Sequence, residues 1–357
     1  MQIVSIIGTR PEAIKMAPLA KAISKHPKIL HRLVATGQQL SLFNDAISNF
    51  GVHVDHHLGH HPGGDMAEQL VSLEASISRR LRFDFPDLVL VQGDTNTALC
   101  AARAASKNGI KLGHVEAGLR SFNLARPFPE EGNRIEIAQR ASLHFAPSQI
   151  AAQNLASERV GGDIFVTGNP GIDAIMSICG SEPIEKRANI LVTCHRRENF
   201  GAPLLRICHA LIEIANQTHH TILVPVHPNP NVATPMRSGL LSHPRIELIE
   251  PMSYSDMIAV VRKSLFVITD SGGLQEECAV LGIPLLLLRE ETERPEVITN
   301  GNAIIVGSDS KQIVHEAMRL FDDENHFAAM SKATFPYGNG DAAEHIIRAI
   351  ERYFNLN

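Results

Sequence analysis

The sequence predicts an α/β protein made of two doubly wound, Rossmann-like parallel-sheet domains facing a cleft. Three observations carry this. Apolar runs such as Leu88–Gln92 (LVLVQ) and Asn189–Thr193 (NILVT) are near-continuous, as in strands covered on both faces. Longer helix-like segments separate most of these runs. The pattern restarts after Gly168-Asn169-Pro170, and 357 residues correspond to about two domains at a typical ~150 residues each.

Taken in order, Gln2–Gly8 is a mostly apolar strand, and a helix follows from about Pro11 to Lys25, with Pro11 suited to the first helical turn. Leu30–Thr36, Leu88–Gln92 and Lys111–Val115 are the next strands, with His144–Ala146 and Ile164–Thr167 as short later ones. The second set comprises Asn189–Thr193, Thr221–Pro225, Ile246–Ile249, Phe266–Thr269 and Pro284–Leu288. Domains over residues 1–168 and 169–341 follow, with a hinge near Gly168–Asp173. The final helix, about Ala342–Tyr353 within residues 342–357, is expected to return to the first domain.

Hydrophobic residues at 44% suffice for sizeable cores. A net charge of -5 gives no electrostatic reason to expect nucleic acid or an acidic membrane as partner. No apolar run approaches the ~20 residues that span a bilayer. The start, MQIVSIIGTR, lacks a basic region ahead of its apolar run, so it reads as a strand and not as a signal peptide. Cys100, Cys179, Cys194, Cys208 and Cys278 form no CxxC pair and read as reduced thiols of a cytoplasmic protein. His53, His56, His57, His60 and His61 match no zinc spacing, and Pro62-Gly63-Gly64 marks a loop, so a solvated loop is expected there and no metal site.

Several segments carry chemistry. In LFVITDSGGLQEE (Leu265–Glu277) an apolar run ends at Asp270, and Ser271-Gly272-Gly273 leads into a helix. Such a turn presents unpaired N–H groups and the positive end of a helix dipole to an anion, and two glycines admit the ligand to the main chain. Glu277, one turn on, is placed to meet the hydroxyls of a ribose, or else is a helix-face glutamate. After the first strand, Arg10 sits at the lip where it can fork onto a phosphate or carboxylate, and Lys15 lies one turn beyond Pro11. Asp94 follows Gln92-Gly93 and is either an acid–base group or an N-cap. Glu116 ends the next strand, and Glu130 and Arg134 lie in RPFPEEGNR. Three carboxylates on one rim with an arginine nearby look like an acid–base constellation. His195, Arg196 and Arg197 follow a strand in the second half, His227 lies in VPVHPNPNV, and Arg294 follows Pro284–Leu288. The strand-to-helix turn at Gly8 lacks the dinucleotide glycines. Gly338-Asn339-Gly340-Asp341-Ala342-Ala343 has the right letters but follows no strand, and a P-loop lysine motif is missing.

Together these runs resemble the non-hydrolysing UDP-N-acetylglucosamine 2-epimerase family. GTRPEAIKMAPL, VQGDTNTAL, GHVEAGLRSFN, RPFPEEGNR, VTGNPGIDA, LVTCHRRENFG, VPVHPNPNV, TDSGGLQEE and ETERPEVITNG occur in the family's order over nearly the whole chain. The resemblance implies a GT-B-like fold with a UDP-sugar in the interdomain cleft, no cofactor, and a homodimer. It implies that Asp94, Glu116 and Glu130 are the catalytic carboxylates and that His195 stands near the leaving phosphate. Arg10, Lys15 and Arg134 would contact the ligand, Ser271, Gly272 and Gly273 would form the diphosphate turn, and Glu277 and Arg294 would make further nucleotide-sugar contacts. Two departures stand out. Gln38-Gln39 replaces the Gln-His that helps build a second, regulatory UDP-GlcNAc site in many bacterial members, and the loop from His60 to Leu73 lacks the arginine expected there. Met252 and Met257 stand where relatives often carry other residues near the nucleotide.

The implied reaction inverts C2 of UDP-N-acetylglucosamine by elimination of UDP to a 2-acetamidoglucal and re-addition, giving UDP-N-acetylmannosamine as a donor for a surface glycan. A hydrolysing 2-epimerase, a GT-B glycosyltransferase, a UDP-sugar sensor and an enzyme acting on a diacetamido uronic acid remain as alternatives at this level.

Overall fold

Every strand pairing among the described residues is parallel, so every connection between neighbouring strands must cross over. The structure is a computed structural model that describes residues 1–37, 47, 50–59, 65–179 and 187–356. Gln38, Gln39, His60 and His61 lie outside the described residues. The chain divides into two compact units, one of Met1–Ser177 with the segment from Tyr337 onward, the other of Ile178–Pro336.

The first unit holds strands β1 (Gln2–Ile7), β2 (Leu30–Ala35), β3 (His56–His57), β4 (Leu88–Gln92), β5 (Lys111–Val115), β6 (Leu143–Ala146) and β7 (Asp163–Val166). Their order across the sheet is β3-β2-β1-β4-β5-β6-β7. The apolar runs are continuous because helices cover both faces. Val4, Ile6, Val89 and Val91 pack with Ile77 and Leu81 of helix Met66–Asp84 and with the alanines of helix Asn96–Lys107. Those alanines let the helix approach the sheet closely. Each fully buried aliphatic side chain here contributes about 1.5–3 kcal/mol.

The second unit holds β8 (Asn189–Thr193), β9 (Ile222–Pro225), β10 (Ile246–Ile249), β11 (Ser264–Thr269), β12 (Leu285–Leu287) and β13 (Ala303–Ile305), in the order β10-β9-β8-β11-β12-β13. Ile190, Val192, Phe266 and Ile268 meet Leu204, Ile207, Leu211 and Ile214 of helix Ala202–Gln217 in its core. Both sheets therefore reverse their winding once, between β1 and β4 in the first and between β8 and β11 in the second. The carboxyl ends flanking such a reversal are where open α/β sheets place ligands.

The first unit also takes in residues 169–177 and 337–341, which the sequence pattern assigns to the second domain. Hydrogen bonds account for this. The amide of Asn169 donates to Tyr337 O (2.8 Å), and Tyr337 is fully buried. The carboxylate of Asp173 accepts from the amides of Ala342 (3.2 Å) and Ala343 (2.9 Å), capping helix Ala342–Phe354 from another helix. That last helix packs along helix Arg10–Ile23, and His26 Nε2 lies 2.8 Å from Glu351. His56–His57, expected in a solvated loop, forms a short edge strand paired with Val34 and Ala35. A two-residue strand is too brief to show a periodicity.

Candidate functional site

In the first unit the polar groups gather beyond β1, β4 and β5. Thr9 caps helix Arg10–Ile23 by accepting from Glu12 N (3.5 Å), and Glu12 answers with a capping box. Its buried carboxylate accepts from the amides of Gly8 (3.0 Å) and Thr9 (2.7 Å) and from Thr95 Oγ1 (2.6 Å). Glu12 thus ties the loop after β1 to the loop after β4. Burial drives its carboxyl above the ordinary range despite those donors. A Cβ at Gly8 would stand 2.0 Å from Thr97 Oγ1, so only glycine fits the first loop. Arg10 opens the helix and is half-buried.

Lys15 projects from the same helix and ion-pairs with Glu116 Oε2, to which Asn169 Nδ2 also donates (2.7 Å). Glu116 is buried and holds a left-handed backbone with φ of 65°. A glutamate avoids that region in an unconstrained chain, so surrounding contacts hold it there, a pattern common at functional sites. A Cβ at Gly93 would lie 3.9 Å from Glu116 Oε1, which places Glu116 against the loop that carries Asp94.

Asp94 is bonded by Arg134 Nη2, and its backbone oxygen accepts from Asn133 Nδ2 (2.8 Å). Arg134 in turn donates to Glu131 (2.9 Å), a buried residue that also accepts from the amides of Ser121 and Phe122 (both 3.1 Å). Glu130, at the start of helix Glu130–Ala138, differs from its neighbour. Its Oε2 is buried and has no hydrogen-bond partner among the described residues. A carboxylate oxygen left without a donor is available for proton transfer. The two adjacent glutamates of RPFPEEGNR thus separate into a structural one, Glu131, and a chemical candidate, Glu130.

His114, on β5, donates from Nε2 to Gly93 O (2.8 Å) and so fixes the turn before Asp94. Burial lowers the pKa of His114, and that of His31 bonded to Ser5 Oγ, from the ordinary 6.5 to about 4. The unfolded chain therefore binds protons that the folded chain refuses. Stability is complete above pH 6.5 and falls as pH drops from 6.5 towards 4, by about 3 kcal/mol for His114 alone. Urea unfolding at about pH 7 and about pH 4.5 is expected to show this loss, with a shallower pH slope in His114→Gln. An unchanged slope in that variant would contradict the assignment.

In the second unit the groups gather beyond β8 and β11. Asp270, fully buried at the end of β11, accepts at Oδ2 from the amides of His195 (3.0 Å) and Arg196 (2.9 Å), from Asn199 Nδ2 (3.0 Å) and from Cys194 Sγ (3.2 Å). Its Oδ1 lies 3.1 Å from His195 Nδ1. Burial opposes the charge, yet the His195 ring and these donors outweigh it and hold the carboxyl well below the ordinary range. The rings of His195 and His227 stack at 5.9 Å. Burial, with His195 nearby, lowers the pKa of His227.

Ser271 caps helix Gly272–Leu281, its hydroxyl accepting from Leu274 N (3.5 Å). A Cβ on Gly272 would meet Arg294 Nη1 at 3.1 Å, Glu293 Oε1 at 3.2 Å and Arg196 Nη2 at 3.4 Å. The turn thus joins a helix N-terminus to two guanidinium tips, an arrangement that suits an anion. Glu277 Oε1 accepts from the Tyr254 hydroxyl (2.8 Å) and lies 3.8 Å from a Cβ placed on Gly273. Arg294 is buried, bonded to Glu276 (2.5 Å) and Glu293, so part of its charge is spent inside the unit. Glu12, Glu131, Asn169 and the hub role of Asp270 were missed by sequence reasoning. Each lies inside a quoted motif; Glu12 had a chain signal in the Thr9-x-x-Glu12 capping-box spacing, while burial and partner, which distinguish the others from their neighbours, have none. Among the described residues no group of His, Cys, Asp and Glu is arranged to hold a metal ion, and no helix is long and apolar enough to cross a membrane.

Two doubly wound parallel sheets, each with a polar cluster at its own point of reversal, place this chain in the GT-B-like class of nucleotide-sugar proteins. Residues 21–351 match the family model described as UDP-N-acetylglucosamine 2-epimerase. The chain is 40% identical over 372 residues to the UDP-N-acetylglucosamine 2-epimerase of Salmonella typhimurium, covering 99% of each. Among solved structures, it superposes with a TM-score of 0.94 on the UDP-GlcNAc 2-epimerase of Neisseria meningitidis bound to UDP-GlcNAc (35% identity, 99% of this chain and 100% of that one). It superposes at 0.87 on the Methanocaldococcus jannaschii enzyme in complex with UDP-GlcNAc and UDP (32% identity, 99% and 100%). The chain belongs to the UDP-N-acetylglucosamine 2-epimerase enzyme family.

Proposed function

We propose that this chain is a non-hydrolysing epimerase that interconverts UDP-N-acetylglucosamine and UDP-N-acetylmannosamine. The observation that carries the reading is the carboxylate cluster of the first unit: Glu116 bonded by Lys15 and Asn169, Asp94 bonded by Arg134, and Glu130 with an unpartnered buried oxygen. The C2–H of the sugar is not acidic, because no ring carbonyl activates it. It is lost as the C1–O bond breaks, its proton passing to a carboxylate and the C1–O electron pair leaving with the β-phosphate of UDP. A 2-acetamidoglucal results. Delivery of a solvent-exchanged proton from a second group to the opposite face of C2, with UDP re-adding at C1, completes the inversion. Two faces call for more than one proton-transfer group, and each such group typically contributes ~10²–10⁴-fold.

The second unit supplies the groups for UDP. Ser271, Gly272 and Gly273 offer N–H donors to the diphosphate, with Arg196 and His195 close to stabilise charge as the bond breaks. Within the first unit Arg10 and Lys15 are ligand contacts and Arg134 orients Asp94, and within the second Glu277 is the acceptor for a ribose hydroxyl. Arg294 shapes the turn. The protein acts as a cytoplasmic homodimer that provides an N-acetylmannosamine donor for surface polysaccharide.

Proton NMR of UDP-GlcNAc with the protein in deuterium oxide tests this in one experiment. The expected outcome is a growing UDP-ManNAc signal, deuterium at C2 and no free sugar. Release of free N-acetylmannosamine would assign the hydrolysing reaction instead, and an unchanged spectrum would remove the epimerase reading.

A further inference from the structure

Glu116 meets two donors of different character at one oxygen. Lys15 Nζ and Asn169 Nδ2 (2.7 Å) both bond Oε2. An ammonium on a flexible stem supplies charge but little direction, since its three donors rotate. A carboxamide is planar, and the engagement of its oxygen sets where its nitrogen points. In Asn169 that oxygen is engaged: Oδ1 accepts from the amide of Gly171 (3.2 Å), which leaves Nδ2 as the edge that meets Glu116. Asn169 stands immediately before helix Pro170–Cys179, so the same bond caps that helix. The backbone of Asn169 is anchored as well, its amide on Tyr337 O (2.8 Å) and its carbonyl accepting from Ile172 N (2.8 Å). The Lys15 stem runs beside the same turn, for a Cβ on Gly171 would lie 3.4 Å from Lys15 Cγ.

We propose that Asn169 is a positioning residue whose carboxamide caps a helix with one end and sets the direction of the Glu116 carboxylate with the other, so that Lys15 supplies the charge and Asn169 the aim. The proposal rests on the reading of Glu116 as a proton-transfer group. Aim matters because the backbone at Glu116 is left-handed, with φ of 65°, a conformation that a glutamate does not favour by itself. An acid–base group must also lie within hydrogen-bond reach of the proton it moves, and a small misplacement costs rate more than binding. Asn169 does not titrate, and a carboxyl oxygen accepts from an amide N–H whether or not the group holds a proton. The aim is therefore kept while Glu116 gains a proton and gives it up.

Two substitutions separate the two ends of the side chain. Serine caps a helix as well as asparagine does, but its hydroxyl stands one atom closer to the backbone, where it bonds Gly171 N and leaves Glu116 without a donor from this position. Asn169→Ser is expected to unfold in urea at the parent midpoint and to bind UDP within about threefold of the parent by calorimetry, while turnover of UDP-GlcNAc falls about 10–100-fold with a smaller change in KM. Asn169→Ala, which loses both ends, is expected to show the same loss of turnover and a lower midpoint. A purely structural role predicts instead that serine is harmless and alanine is not. In a Glu116→Gln background, Asn169→Ser is expected to cost less than about threefold further, because no proton-transfer carboxylate is left to aim. Turnover of Asn169→Ser within about threefold of the parent, or its full loss repeated in the Glu116→Gln background, overturns the positioning role. A midpoint lowered as far in Asn169→Ser as in Asn169→Ala makes the loss one of folding and overturns it too. Full turnover in Glu116→Gln alone overturns the reading of Glu116, and an inert parent overturns the reading of the reaction; the positioning role falls with either.

Discussion

Glu116→Gln is expected to cut epimerisation by about 10²–10⁴-fold while UDP affinity changes by less than about threefold. The amide oxygen of glutamine still accepts from Lys15 and Asn169, so the side chain keeps its place. What disappears is the capacity to hold a proton. The left-handed backbone at Glu116, with φ of 65°, aims the carboxylate, and the substitution does not alter it. UDP affinity is expected to survive because the turn proposed for the diphosphate, Ser271–Gly273, belongs to the second unit. Initial rates by NMR, together with calorimetric titration of UDP, check both halves. Turnover within about threefold of the parent would take Glu116 out of the proton-transfer step.

Glu131→Ala is expected to destabilise the first unit by about 3–5 kcal/mol, measured by urea unfolding. The truncation strands two amides, those of Ser121 and Phe122, and removes one of the carboxylates that neutralise the buried Arg134. Activity is lost as well, since Arg134 is the group that fixes Asp94. The adjacent substitution separates the two roles: Glu130→Gln is expected to reduce turnover sharply and to leave stability within about 0.5 kcal/mol. Similar unfolding midpoints for Glu131→Ala and Glu130→Gln would show that the difference in burial and bonding of the two glutamates has no energetic weight.

The doubly wound architecture was legible because fully buried parallel strands need unbroken apolar runs. Leu88–Gln92, Lys111–Val115, Asn189–Thr193 and Ile246–Ile249 could be delimited from their residues alone. Two short strands escaped. β3 is made of histidines within a polar loop, and β13 (Ala303–Ile305) is as short as β12 but lacks the unbroken leucine run that marks β12. At the site, chain chemistry singled out the carboxylates and the glycine turn because several such groups fall at strand ends beside cationic residues, although Asp94 alone could have been an N-cap. It named Glu130 and passed over Glu131, whose structural weight comes from what surrounds it and not from the motif the two share. Arg294 illustrates the same gap: its ion pair with Glu276, from a different segment, is a tertiary fact that its position after a strand does not reveal.

The dependence of Ala342 and Ala343 on Asp173, and of Asn169 on Tyr337, also bears on synthesis. A nascent polypeptide leaves the ribosome from its amino end, and domains generally fold as they emerge. Here the portion translated earliest lacks its closing helix until the intervening 159 residues, Ile178 to Pro336, have been made. The unit begun first is consequently finished last. A translation pause within the intervening stretch would leave helix Arg10–Ile23 without the last helix that packs along it.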